Sequence, residues 1–109
     1  VLRALHRLFL HHAADERRGR DPRLHLPGHS PGSVGFYFRS SALLFCGDVI
    51  MHESVGRADL PGGNWDTLKH SIQHGIYTLP DNVNLFSGHG PKTTVAWEKM
   101  HNPFVPYEN

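Results

Sequence analysis

Cysteine is almost missing from this sequence. Cys46 is the only one in 109 residues, so no disulfide can close within the chain and a disulfide-stapled secreted module is excluded. A lone thiol also leads to the expectation of a reducing, cytoplasmic setting. No apolar run approaches the ~20 residues that cross a bilayer, which excludes a membrane-spanning helix. Neither sign of charge dominates: 11 Lys and Arg against 10 Asp and Glu leave +1, too little to hold nucleic acid or an anionic membrane. Internal repeats and low-complexity tracts are absent as well.

What remains is ordinary globular composition, 39% hydrophobic and 19% charged, of a length that allows one domain. Ten histidines are the unusual component. Histidine can ligate metal, shuttle protons or sit on a surface, so the number alone decides nothing.

Charge divides the chain in two. Six arginines (Arg3, Arg7, Arg17, Arg18, Arg20, Arg23) crowd the opening, whereas all three lysines (Lys69, Lys92, Lys99) lie later. Asp21-Pro22 ends any preceding helix. Residues 1–22 are therefore expected to form an atypical Arg-rich segment, with a helix over 1–14 set by Leu2, Leu5, Leu8 and Phe9 and a turn to follow. Arginines without interleaved aromatics favour a solvated segment over a nucleic-acid arm.

From residue 23 the texture is α/β. Short strands are expected at 23–26, 34–39, 42–46 and 83–86, with Ser40-Ser41 as the tight turn of a hairpin. Residues 51–63 read as a loop rich in Gly and Pro. Asn64 caps a helix on which Trp65, Leu68, Ile72 and Ile76 repeat at helical spacing, and Leu79-Pro80-Asp81 closes it. Thr93 or Thr94 starts a last helix that Asn102-Pro103 stops.

Three side chains share one context. His29, Asp48 and His89 each follow an expected strand, in a loop of small residues. Loops at one end of a sheet can converge, and two imidazoles with a carboxylate are donors that zinc, iron or manganese favours. The alternative is that the histidines cap turns and Asp48 is a turn residue.

Their surroundings carry a resemblance. His25-Leu-Pro-Gly-His29-Ser-Pro-Gly-Ser33 resembles the H-T-P-G-H-T/S-P-G-S segment of the metallo-β-lactamase-fold hydrolases. Phe45-Cys-Gly-Asp48 resembles their F-T-G-D, and Ser87-Gly-His89-Gly-Pro91 their P-G-H-G-P. Gly56-Arg-Ala-Asp-Leu-Pro-Gly-Gly63 is similar to the G-R-x-D-L-P-G-G loop of the small glyoxalase-II-like branch, and Lys92-Thr-Thr94, Glu98 and Asn102-Pro-Phe104 continue the likeness. The resemblance implies an αββα sandwich, of which residues 23–109 match the C-terminal half: a mixed sheet with flanking helices. It implies His29 as a ligand of one metal, Asp48 as the carboxylate bridging two and positioning a hydroxide, and His89 as a ligand of the second. The metals implied are two Zn2+ ions, with iron or manganese as substitutes. The implied reaction is attack of a metal-bound hydroxide on a small-molecule thioester or related ester.

The family's H-x-H-x-D-H motif is not in these 109 residues. His11-His12-Ala-Ala-Asp15 has some of its letters without its spacing. The chain is thus expected to be a truncated form of the domain, inactive by itself. A second reading makes it a non-catalytic half-domain that binds a protein partner or self-associates through an exposed sheet face. Among the remaining residues, His25 is expected to support the His29 loop, Asp59 to fix the shape of its own loop, and His52 to approach the site from outside. Arg57 either fixes the loop with Asp59 or meets an anionic substrate. His70 and His74, four apart on one helix, form either a polar face or a chelating pair. Cys46 is expected to pack on a buried strand.

Overall fold

The computed structural model describes residues 18–108. The helix expected over 1–14, and His11, His12 and Asp15 with it, lie outside these residues. The fold is α/β. Strands β1 (Arg23–His25), β2 (Val34–Phe38) and β3 (Leu43–Gly47) are followed by the small pair β4 (Ile50–Met51) and β5 (Ser54–Val55), then β6 (Asn84–Ser87) and β7 (Thr93–Thr94). The main sheet has the order β1-β2-β3-β6-β7, while β4 and β5 pair only with each other. Pairing is antiparallel except between β3 and β6, so the sheet is mixed.

Two reversals of direction make β1 point the same way as β3, and β6 points that way too. Three strands therefore deliver their C-terminal ends to one edge, and that edge carries the polar loops.

The period-2 pattern of VGFYF and LLFCG sorts the sheet into two faces. Tyr37, Leu44, Cys46 and Leu85 point inward and join Leu26, Leu68, Ile72, Ile76 and Val95 in one core. Val34 and Phe36 point the other way and are exposed. Phe45 lies on that outer face between Phe38 (ring centroids 5.9 Å, edge-on) and Phe86 (5.5 Å, stacked).

Helix α1 (Trp65–Ser71) begins where Asn64 accepts the backbone N–H of Thr67 at 2.9 Å. The apolar spacing continues beyond it, but the backbone widens into a π-helical turn over Ile72–Ile76. Asn64→Ala is expected to cost about 1 kcal/mol, read as a lowered midpoint in thermal unfolding. Helix α2 (Val95–His101) is capped by Thr94, whose hydroxyl accepts the N–H of Trp97 at 3.1 Å. Fully buried Glu98 on α2 gathers donors from three places: Glu53 N–H (2.9 Å), Asn102 Nδ2 (3.0 Å) and Thr93 Oγ1 (2.5 Å). These bonds hold the β4–β5 turn against the helix.

Other elements differ from expectation too: Arg39, expected at the end of a strand, lies with Ser40 and Ser41 in a 3-10 turn. The 51–63 loop contains the β4–β5 hairpin, turned at Glu53 in the left-handed region (φ 54°). Thr93-Thr94 is an edge strand on β6 before it becomes a helix start. Strands of two residues are too short to show alternation, so periodicity passes them by. Among the described residues no helix is long and apolar enough to cross a membrane.

Candidate metal centre

The loop after β1 is fastened at several points. His25 Nε2 donates to the Pro31 carbonyl at 3.0 Å, and the Ser30 and Ser33 hydroxyls meet at 2.7 Å. Ser71 Oγ donates to the Pro27 carbonyl at 2.7 Å, tying the loop to α1. Gly28, at φ +133°, is required here: a Cβ would lie 2.3 Å from the Leu68 backbone. This close approach places His29 at the edge of the sheet.

His29 Nδ1 lies 2.7 Å from the Arg57 carbonyl oxygen. A carbonyl only accepts, so Nδ1 carries a proton and Nε2 is the nitrogen that bears the lone pair of the neutral ring. That is how an imidazole is oriented for metal binding, by a hydrogen bond on its far nitrogen. His29 Nε2 in turn faces Asp48 Oδ2 at 3.9 Å, too far for a hydrogen bond. Two metal–ligand bonds of about 2.1 Å can span such a gap.

Asp48 follows β3 directly. The β3–β6 register slips between Phe45 and Gly47, and Gly47 takes φ 55°, so the chain bends as it leaves the sheet. The second oxygen, Oδ1, accepts from His89 Nδ1 at 3.0 Å. His89 follows β6, and its side chain is 78% exposed. Asp48 therefore offers one oxygen toward each histidine. Glycines make this possible: a Cβ on Gly88 would stand 3.0 Å from Asp48 Oδ1, and one on Gly56 only 1.7 Å from the Asp48 carbonyl oxygen.

The donor set suits a divalent ion in kind, and His29 and Asp48 already face each other across a gap. Closure is incomplete. Among the described residues no group of three or more His, Cys, Asp or Glu side chains is arranged to hold a metal ion. His89 spends its Nδ1 proton on Asp48 instead of joining His29 around a common point.

Arg57 and Asp59 pair with each other, Nε to Oδ1 and Nη2 to Oδ2 both at 3.1 Å, on the exposed loop. This raises the guanidinium pKa and lowers that of the carboxylate, and it supports the loop-shaping role of both. Missed by the sequence reading is that the Arg57 backbone carbonyl, and not its side chain, orients His29. The G-R-x-D-L-P-G-G loop was the available signal. The expectation for His52 is corrected: its Nε2 meets Glu53 at 2.8 Å and its ring stacks on Trp97, on the β4–β5 turn against α2.

Cys46 is fully buried, and its Sγ donates to the Ile50 carbonyl at 3.4 Å. Burial pushes the thiol pKa up to about 11, so it is protonated and unreactive at neutral pH. Cys46→Ser keeps a donor at this position and is expected to cost less than about 1.5 kcal/mol by denaturant unfolding. The native thiol should resist alkylation at pH 7.

The chain is similar to known proteins. The metallo-beta-lactamase superfamily model matches residues 5–89, a match that begins within the Arg-rich segment. A probable metallo-hydrolase of Bacillus subtilis, YqgX, is 48% identical over 82 residues, covering 75% of this chain and 39% of the relative. Hydroxyacylglutathione hydrolase GloC of Haemophilus influenzae is 43% identical over 82 residues, again 75% of this chain and 39% of the relative. The crystal structure of TTHA1623 in a di-iron-bound form superposes with a TM-score of 0.74 at 46% identity, covering 76% of this chain and 41% of that one. The chain thus spans about two-fifths of the length of the curated relatives it matches. With a mixed sheet, three co-directed strand ends and a matching model over most of its length, the chain belongs to the metallo-beta-lactamase superfamily.

Proposed function

We propose that these residues are the C-terminal layer of a metal-dependent hydrolase that cleaves a small-molecule thioester or related ester in the cytoplasm. His29 and Asp48 would hold one ion, Asp48 and His89 a second, and an H-x-H-x-D-H layer would supply the remaining donors. The observation that carries this reading is the two-sided use of Asp48, one oxygen toward His29 and the other toward His89. A bound divalent ion, zinc with iron or manganese as substitutes, would bring the pKa of a water toward about 7 and polarise a carbonyl beside it. The chain's own part is orientation. The Arg57 carbonyl fixes the tautomer of His29, Gly88 leaves room beside the Asp48 carboxylate, and Gly56 leaves room beside the Asp48 backbone carbonyl.

The test pairs these residues with a polypeptide carrying the H-x-H-x-D-H layer and follows hydrolysis of an acyl thioester. Turnover should disappear on chelation and return with Zn2+ or Fe2+. A complex that loads two metals and leaves thioesters, lactones and esters untouched would exclude the reading.

A second reading, a non-catalytic half-domain that self-associates, is favoured by the outer sheet face, where Val34 and Phe36 lie exposed beside the Phe38, Phe45 and Phe86 rings. Metal content separates the two, because a purely binding module needs none.

A further inference from the structure

His70 and His74 stand apart from the centre at the strand ends. Both are exposed, one on the last turn of α1 and the other in the π-helical turn that continues it. Spacing of four residues allows two side chains to share a helical face but does not oblige them to meet. Here they do: the ring centroids are 4.4 Å apart, with the planes 34° from parallel. Rings this close allow one nitrogen of each, after rotation about the side-chain bonds, to reach a common ion about 2.0–2.1 Å from both, the length of an imidazole–metal bond. The pair borders an open cleft of about 380 Å³ shared with Thr67, Ser71 and Gly75, which leaves room for the water ligands that two protein donors must leave to the ion.

We propose that His70 and His74 form a bidentate surface site for a late first-row divalent cation, Cu2+ or Ni2+ before Zn2+. Imidazole donors favour these ions, and affinity for a given nitrogen site rises through Ni2+ to Cu2+ and falls again at Zn2+. His25 also borders this cleft, with its Nε2 held by the Pro31 carbonyl of the loop after β1. The inward side of the same helix, Leu68, Ile72 and Ile76, packs into the core, so the pair faces solvent whichever way the outer sheet face is covered.

The test uses the full chain in a His29→Ala/Asp48→Ala/His89→Ala background, which removes the three donors of the other centre. Titration with Ni2+ and with Cu2+ is followed by calorimetry in a non-coordinating buffer. His70→Gln and His74→Gln keep good helix formers at exposed positions, and circular dichroism checks that the helix is intact. Each single variant is expected to bind at least tenfold more weakly, and the double variant to lose less than the two single losses combined, because one lost arm already ends chelation. The Cu2+ paramagnetic resonance spectrum should show two coupled nitrogens from this site, falling to one in each single variant. Unchanged affinity in both single variants, or losses that simply add in the double variant, would overturn the proposal. So would a two-nitrogen spectrum that survives in the double variant.

Discussion

Asp48→Ala, in these residues paired with an H-x-H-x-D-H layer, is expected to abolish loading of both metals and to lower thioester turnover by about three orders of magnitude or more. The size follows from the position of the carboxylate. Its two oxygens face both histidines, so its removal would take a donor from each proposed site and leave the two proposed cations without the charge that offsets their repulsion. His29→Ala and His89→Ala each remove one donor and should impair one site first. Metal analysis beside kcat for the three variants checks the order. Gly56→Ala probes orientation instead. A Cβ there would lie 1.7 Å from the Asp48 carbonyl oxygen and 3.2 Å from His29 Nδ1, so the loop must shift and take the Arg57 carbonyl with it. Displacing such a supporting hydrogen bond is expected to cost about 10–100-fold in metal affinity or activity. Wild-type turnover by Asp48→Ala would remove the assignment of the centre.

The strand ends and their loops were legible because their chemistry is local. Pro27-Gly28-His29 and Phe45-Cys46-Gly47-Asp48 write their turns in residue types; the strand before the first alternates, and the one before the second is a continuous apolar run, Ala42 to Cys46. The Asn64 cap was legible for the same reason. What escaped belongs to backbone atoms or to partners distant in sequence. The Arg57 carbonyl that orients His29 would be a carbonyl whatever residue stood there, so nothing in the side chain marks it. Strands β4, β5 and β7 have two residues each and no period to detect. Glu98 invites a surface reading as a charged helix residue. Its burial becomes sensible only once Glu53, Thr93 and Asn102 are seen to bring it donors. His52 illustrates the opposite error: nearness in sequence to Asp48 suggested a role at the centre, and the β4–β5 hairpin carries it to Trp97 instead.

By themselves, these 109 residues are expected to associate in solution and to show no hydrolase turnover. The second half of this expectation follows from the donors. Three side chains shared between two metals give each ion at most two protein ligands, short of the three or four that hold zinc well. The first half follows from the outer sheet face. Phe36 is 45% exposed and Val34 38%, and the Phe38–Phe45–Phe86 rings extend the same apolar surface across β2, β3 and β6. Contiguous apolar surface of this kind is what binds a partner or a second copy. Fully covering a Phe side chain is worth about 1.5–3 kcal/mol, so a contact that covers two or three of them reaches the range of micromolar association once its entropic cost is met. Light scattering coupled to size exclusion should report a species larger than 12.3 kDa. Phe36→Thr keeps a residue suited to a strand while removing the ring. Losing that part of the contact is expected to weaken association about 10–100-fold and to raise the monomer fraction. The inward face contributes nothing to this contact, so Asn64→Ala, which acts on α1, should lower thermal stability without changing the association constant. A monodisperse monomer with two tightly bound metals and thioester turnover would contradict both halves. Ligands would then have to come from within the chain, and His11, His12 and Asp15 would be the first substitutions to make.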